Sequence, residues 1–267
     1  MALGGFFFCS VCARPSDHTF DARYGTGCFL LLNTGKAPVF SQHGLLTTAA
    51  YQLGPTAPVT YALEGSIAIA GAGVDWLINK MGLVADAKEL NDLAASVTST
   101  GDVYFVPAFN GLYAPHWRDD ARGLIVGLTQ FTERAHLCRA LLEATCFQTR
   151  EVLDAMRMDS GVQLKTLRVD GGMTKSPVLL QLQADLLNID VERPDNGEAT
   201  AMGAAYAAGL ATGMWSDTAA LNEAVGAGDT TQVVKPRAAE QAHVPARLAR
   251  WSAAVQRSFG WANKTKN

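Results

Sequence analysis

Charge is sparse in this chain and nearly balanced. Asp and Glu number 25 against 22 Lys and Arg, only 18% of the 267 residues are charged, and the net charge is −3. That balance gives nucleic acid or an anionic membrane surface nothing to bind. Long apolar runs are missing too. Residues 59–77 come closest to a membrane span, but Glu64 and Asp75 interrupt them, short of the roughly 18 apolar residues that a span needs. Nothing repeats at a period of about 20–50 residues, which excludes a solenoid. The five cysteines, at 9, 12, 28, 138 and 146, are odd in number and scattered. They fit a reducing compartment, hence a cytoplasmic location, better than a disulfide framework. Cys9 and Cys12 have half-site spacing for zinc, but no second Cys/His pair accompanies them, so no metal site is expected. No serine stands in a nucleophile elbow.

What is present is a globular composition, 48% hydrophobic, enough for a sizeable core. Residues 1–22 are atypical, with a Phe6-Phe7-Phe8 run and no basic flank; they are expected to be irregular. Residues 23–262 form the expected domain, and 263–267 a polar tail.

Periodicity predicts two β-runs over 23–33 about a Gly-Thr-Gly turn, and strands at 59–63, 103–109, 164–169 and 189–193. Helical spacing appears at 65–81, 86–97, 176–187, 200–212 and from Pro245 onward. The longest helix follows Thr132 as cap and stops near Gly161; Leu137, Leu141, Ala144, Val152 and Met156 make it apolar enough to be central. Residues 110–127 read as loop. Strands alternating with helices, plus one antiparallel hairpin, predict an α/β layer with a mixed sheet.

Three glycine turns carry the chemistry: Gly25-Thr26-Gly27, Asp170-Gly171-Gly172, and Gly203 in an alanine-rich helix. Glycine lets backbone amides approach a phosphate or a flat base. Thr26 is the one hydroxyl at the first tip, able to hold phosphates or their metal. Each turn taken singly is also explained by an ordinary hairpin, a strand-to-helix turn or close packing. Other constellations read as structural. His116 is expected to be a solvated loop side chain. Asp119 and Asp120 are loop neighbours unsuited to paired-carboxylate chemistry. Arg150 and Asp154 are expected to form a surface ion pair.

Tyr24-Gly25-Thr26-Gly27-Cys28-Phe29, Tyr61-Ala62-Leu63-Glu64-Gly65-Ser66, Val106-Pro107-Ala108-Phe109, Gly111-Leu112-Tyr113-Ala114-Pro115 and Val169-Asp170-Gly171-Gly172 occur in this order. Together they resemble the glycerol kinases among the FGGY carbohydrate kinases, within the actin-like ATPase superfamily. The resemblance implies the C-terminal lobe of such a kinase, an actin-like, ribonuclease-H-like α/β fold with a mixed sheet flanked by helices. It implies transfer of the ATP γ-phosphoryl group to glycerol, giving glycerol 3-phosphate, with Mg2+.

Residue by residue, the resemblance places Thr26 beside the phosphates, Gly71 and Gly172 against the nucleoside, and Phe29 along the glycerol carbons. Asp75 stands where some members have glutamine, and Ser176 where many have asparagine; both positions touch the base edge. The family's base aspartate lies in a Gly-Asp-Gln block upstream of the first turn. The corresponding Met1-Ala2-Leu3-Gly4-Gly5 has neither Asp nor Gln, so no catalytic residue is expected here. The chain is then inactive alone and completed by a first lobe, or it is a stand-alone nucleotide-binding or assembly domain. Apolar surface left bare by a missing lobe would favour a homo-oligomer or a partner lobe.

Overall fold

Strand β1 (Phe20–Tyr24) turns at Gly25-Thr26-Gly27 into the antiparallel β2 (Cys28–Gly35), as the two β-runs predict. The computed structural model describes residues 20–52, 57–195, 199–226 and 231–262. Because Phe20, Asp21 and Ala22 are buried in β1, the folded unit starts before the expected boundary at 23. The rest of the atypical segment, with Cys9 and Cys12, and the 263–267 tail lie outside the described residues.

The main sheet has seven strands in the order β3-β4-β2-β1-β7-β8-β9. They are β3 (Leu46–Tyr51), β4 (Thr60–Ile67), β7 (Thr166–Asp170), β8 (Asp190–Pro194) and β9 (Thr231–Val234), with the β1–β2 hairpin. The β1–β7 and β7–β8 pairs are parallel, and the others are antiparallel. The expected mixed sheet is therefore present. Its two edge strands, β3 and β9, carry little signal: Leu46 and Val233 face outward, and neither strand alternates cleanly between apolar and polar residues. A small antiparallel pair, β5 (Tyr104–Val106) and β6 (Leu124–Val126), corrects the expectation that 110–127 is all loop. Three residues are too few to show a period.

The helices are α1 (Gly71–Asn79), α2 (Ala87–Ser96), α3 (Arg134–Ser160), α4 (Pro177–Leu187), α5 (Ala199–Ala211), α6 (Thr218–Gly226) and α7 (Val244–Arg257). No sequence signal had marked α6. The 27 residues of α3 span about 40 Å and are buried without a break from Cys138 through Thr149, which makes α3 central as expected. Its cap is Glu133, not Thr132. The Glu133 amide donates to His136 Nδ1 at 3.0 Å, while the Thr132 hydroxyl is turned back to the Thr129 amide at 2.9 Å. Gly161, at φ 70°, ends the helix.

Ion pairs pin the helices around the core. Glu143 on α3 accepts from Arg139 at 3.1 Å and lies 3.0 Å from Arg247 of α7. Arg139 also donates to the Ala94 and Val97 carbonyls at the end of α2. Phe147 stacks on Trp251 with centroids 5.2 Å apart, joining α3 to α7. Arg150 does more than pair with Asp154 at 2.7 Å: it donates to the Leu186 carbonyl at 2.8 Å and so locks the end of α4. His116 is not simply solvated, because its Nε2 lies 3.1 Å from Glu151 and its ring meets Phe259 edge-on.

Candidate functional site

The β1–β2 turn is built onto the start of α1. Ala70, which precedes α1, has no side chain able to cap it, and the turn supplies acceptors instead. The Gly25 carbonyl accepts from the Gly71 amide at 2.9 Å, and the Thr26 carbonyl accepts from Ala70 and Ala72 at 3.0 and 2.9 Å. Amides that a helix start leaves without partners are thereby satisfied. The same contact requires glycine at position 71: a Cβ there would stand 2.6 Å from the Gly25 oxygen. The turn is fixed in place with the exposed Thr26 at its tip.

The second turn leaves β7. Gly171 has φ +95°, and a Cβ on it would meet the Tyr24 carbonyl at 2.4 Å. The chain then passes through a 3-10 turn (Gly172–Lys175) and enters α4. Thr174 closes that turn, its hydroxyl donating to the Gly171 carbonyl at 2.7 Å. Ser176 caps α4 by accepting the Leu179 amide at 3.1 Å, and Pro177 follows at the first helical position. A Cβ at Gly172 would meet nothing within 4 Å, so Gly172 faces open space.

That space is a cleft of about 650 Å³. Gly25 and Thr26 of the first turn and Gly172, Met173 and Ser176 of the second line it. On α1, Gly71, Val74 and Asp75 are three and four residues apart and share the face toward the cleft. On α2, Lys88, Asn91 and Asp92 do the same. Leu90 and Leu142 add to an apolar wall. Lys88 pairs with Asp92 at 2.7 Å, and that hydrogen bond raises the Lys88 pKa.

Five sequence-predicted residues, Thr26, Gly71, Asp75, Gly172 and Ser176, thus come together on one cleft, although they are spread over 150 positions. Phe29 does not join them. It lies on β2 directly opposite Arg23, on the face away from the buried Cys28. Asn91, Leu90 and Leu142 also line the cleft, although the sequence marks 86–97 and the long helix only by their helical spacing. Asp120 is committed elsewhere, accepting both Arg118 Nε and the Gly260 amide, at 2.7 and 2.8 Å. The Arg118 hydrogen bond holds its carboxyl well below the usual carboxylate range.

The model of the FGGY family of carbohydrate kinases, C-terminal domain, matches residues 21–212. This chain belongs to the FGGY carbohydrate kinase family. It is 52% identical over 244 residues to the probable glycerol kinase of Dictyostelium discoideum, covering 91% of this chain and 44% of that protein. To the glycerol kinase of Nocardia farcinica it is 54% identical over 259 residues, covering 95% and 50%. The chain spans about half the length of the curated relatives it matches.

Among solved structures, the Plasmodium falciparum glycerol kinase with ADP superposes with a TM-score of 0.81 at 39% identity, over 93% of this chain and 49% of that one. A ligand-bound xylulose kinase from Lactobacillus acidophilus superposes with a TM-score of 0.79 at 20% identity, over 96% and 51%, a likeness of fold alone. The fold of the FGGY chain is the actin-like ATPase lobe that its sequence motifs imply. No helix among the described residues is long and apolar enough to cross a membrane.

Proposed function

We propose that this FGGY chain supplies the ATP-binding side of a glycerol kinase, which transfers the γ-phosphoryl group of ATP to a terminal hydroxyl of glycerol. The observation that carries the proposal is the cleft shared by Thr26, Gly71, Asp75, Gly172 and Ser176. The turn carrying Thr26 receives the phosphates. Gly172, with no side chain over open space, lets the adenosine lie against the backbone. Asp75 and Ser176 face the base and ribose. Val74, Leu90 and Leu142 give the base an apolar wall.

Among the described residues no three His, Cys, Asp or Glu side chains gather to cage a metal. Mg2+ would enter with the nucleotide, held through phosphate oxygens and water beside the Thr26 hydroxyl. Phe29 stands apart from the cleft and would line the glycerol carbons from the sheet face that it shares with Arg23. Free, buried Cys28, Cys138 and Cys146 support a reducing, cytoplasmic setting.

Phosphoryl transfer is positioning plus electrostatics along an in-line path, and one wall of a cleft cannot define that path. Most of the polyol site and the base that deprotonates the alcohol then belong to a first lobe facing this one. The 267-residue chain incubated with ATP, Mg2+ and glycerol should release no ADP above a control lacking protein. Addition of a glycerol kinase first lobe should restore glycerol 3-phosphate formation. Turnover by the chain alone would remove the need for a second wall. Failure to bind ADP at all would remove the proposal.

A further inference from the structure

Strand β3 is one edge of the main sheet, and its outer side meets no strand among the described residues. Natural edge strands are guarded by charge, proline, a short span or a bulge that twists them away. The opposite edge, β9, has four residues and runs straight into Lys235 and Pro236. Strand β3 has six, Leu46-Thr47-Thr48-Ala49-Ala50-Tyr51, with no charge and no proline. Its one irregularity falls between Ala49 and Tyr51, so Leu46 to Ala49 run regularly along β4. Apolar side chains gather beside this edge. Phe40 and Leu46 lie in the stretch that leads into it, and both are exposed. Trp117 donates its indole N–H to the Gly44 carbonyl at 2.6 Å, and Tyr113 stacks on Trp117 with centroids 6.1 Å apart. Asp159, at the end of α3, accepts from the Ser41 hydroxyl at 2.5 Å and the Gln42 amide at 2.9 Å, which places the exposed Met158 next to the same stretch. Five of the eleven large apolar side chains exposed among the described residues therefore sit around one short segment, a patch of the kind that marks an interaction site.

We propose that β3 is a dimerisation edge, on which a second copy of this chain lays its own β3 antiparallel about a two-fold axis, joining the two seven-stranded sheets into one. The occupant follows from the strand itself. An antiparallel partner must offer a matching row of amides and carbonyls and bring no charge against an uncharged strand, and the identical strand does both. Because each copy uses the same edge, the assembly closes at two, whereas β3 against β9 would propagate without end. Backbone pairing sets the orientation, and Phe40, Leu46, Tyr113, Trp117 and Met158 supply the apolar burial that a short strand cannot. This surface lies away from the nucleotide cleft that a first lobe would face. Strand β3 pairs with Thr60–Glu64 of β4, the part that runs away from the Gly25-Thr26-Gly27 turn, where Cys28 stands opposite Ile67. Along α3, Met158 lies about 24 Å beyond the cleft residue Leu142, at about 1.5 Å per residue. The inference therefore holds whether or not a nucleotide fills the cleft.

The test is sedimentation velocity of the 267-residue chain over a dilution series. Wild type should be a dimer at the concentrated end. Ala49→Lys, at an exposed position on the edge, puts two copies of one charge into the interface. It should raise the dimer dissociation constant by about tenfold or more. Leu46→Lys, also at an exposed position, should do the same and carries the test should Ala49→Lys fail to fold. Val233→Lys on β9 and Val74→Lys in the cleft should leave the dimer as it is. A wild type that stays monomeric throughout would overturn the proposal, as would a dimer that survives both β3 lysines. Loss of the dimer in Val74→Lys but not in Ala49→Lys would put the contact at the cleft. Species beyond the dimer that vanish in Val233→Lys would put it between β3 and β9. Either result ends the two-fold pairing.

Discussion

The Gly71 amide and the place its Cβ would take both address one atom, the Gly25 carbonyl oxygen, at 2.9 and 2.6 Å. With the two bonds that the Thr26 carbonyl accepts, this hydrogen bond couples the Gly25-Thr26-Gly27 turn to the helix that carries Val74 and Asp75. Gly71→Ala must lift α1 off the turn. The expected cost is about 1–3 kcal/mol of stability, typical of overpacking against backbone, with weakened ADP binding. Urea denaturation and an ADP titration would check it; wild-type values in both would show that the turn and α1 are not coupled.

The adjacent glycines of the second turn should behave in opposite ways. Gly171 combines φ +95° with a Cβ position 2.4 Å from the Tyr24 carbonyl, so Gly171→Ala should destabilise by about 2 kcal/mol or more. Gly172 has open space at its Cβ position, so Gly172→Ala should stay within about 1 kcal/mol of wild type. If the nucleoside lies on that backbone, Gly172→Ala should nonetheless weaken ADP binding by about tenfold or more. A well-folded Gly172→Ala that binds ADP normally would move the nucleoside off this turn.

The buried Arg139–Glu143–Arg247 group offers a test far from the cleft. Glu143 is the shared acceptor, and all three side chains are largely enclosed. Removing one member of a buried ionic group leaves charge uncompensated, so Glu143→Ala should cost about 3–5 kcal/mol. The companion Arg247→Met should cost less, since Arg139 still satisfies Glu143. Equal losses in chemical denaturation would mean that the two arginines do not share one acceptor in solution.

How much of this was legible in sequence follows from how local each feature is. The Gly-Thr-Gly turn, the helix that opens at 176 and the stop at Gly161 are set by neighbours in the chain, and turn residues and periodicity find them. The length and centrality of α3 follow from its apolar stripe. The edge strands β3 and β9 escape because half-exposed strands need no regular pattern. Asn91 and Leu142 escape for another reason: what makes them cleft residues is α4 arriving opposite α2, a tertiary event with no local signature. Thr132 misled because a threonine before a helix is a good cap only if its hydroxyl is free, and here Thr129 takes it.

The last prediction concerns pH. Asp21 is buried in β1 beside Arg168 of β7, and among the described residues its Oδ2 has no hydrogen-bond partner. Burial pushes its carboxyl up to about 7, with Arg168 opposing the rise and Asp170 adding to it. In the unfolded chain an aspartate titrates near about 3.9. Between those values the folded protein holds a proton that the unfolded chain releases. This contribution is therefore complete below about pH 4 and is lost as pH rises through 7. Asp21→Asn stays neutral throughout. It should match wild type near pH 4 and exceed it by on the order of 4 kcal/mol at pH 8. Urea midpoints for both proteins at pH 4.5, 6 and 8 would measure the divergence. Parallel curves would mean that Asp21 ionises normally in the fold, with Arg168 compensating its burial in full.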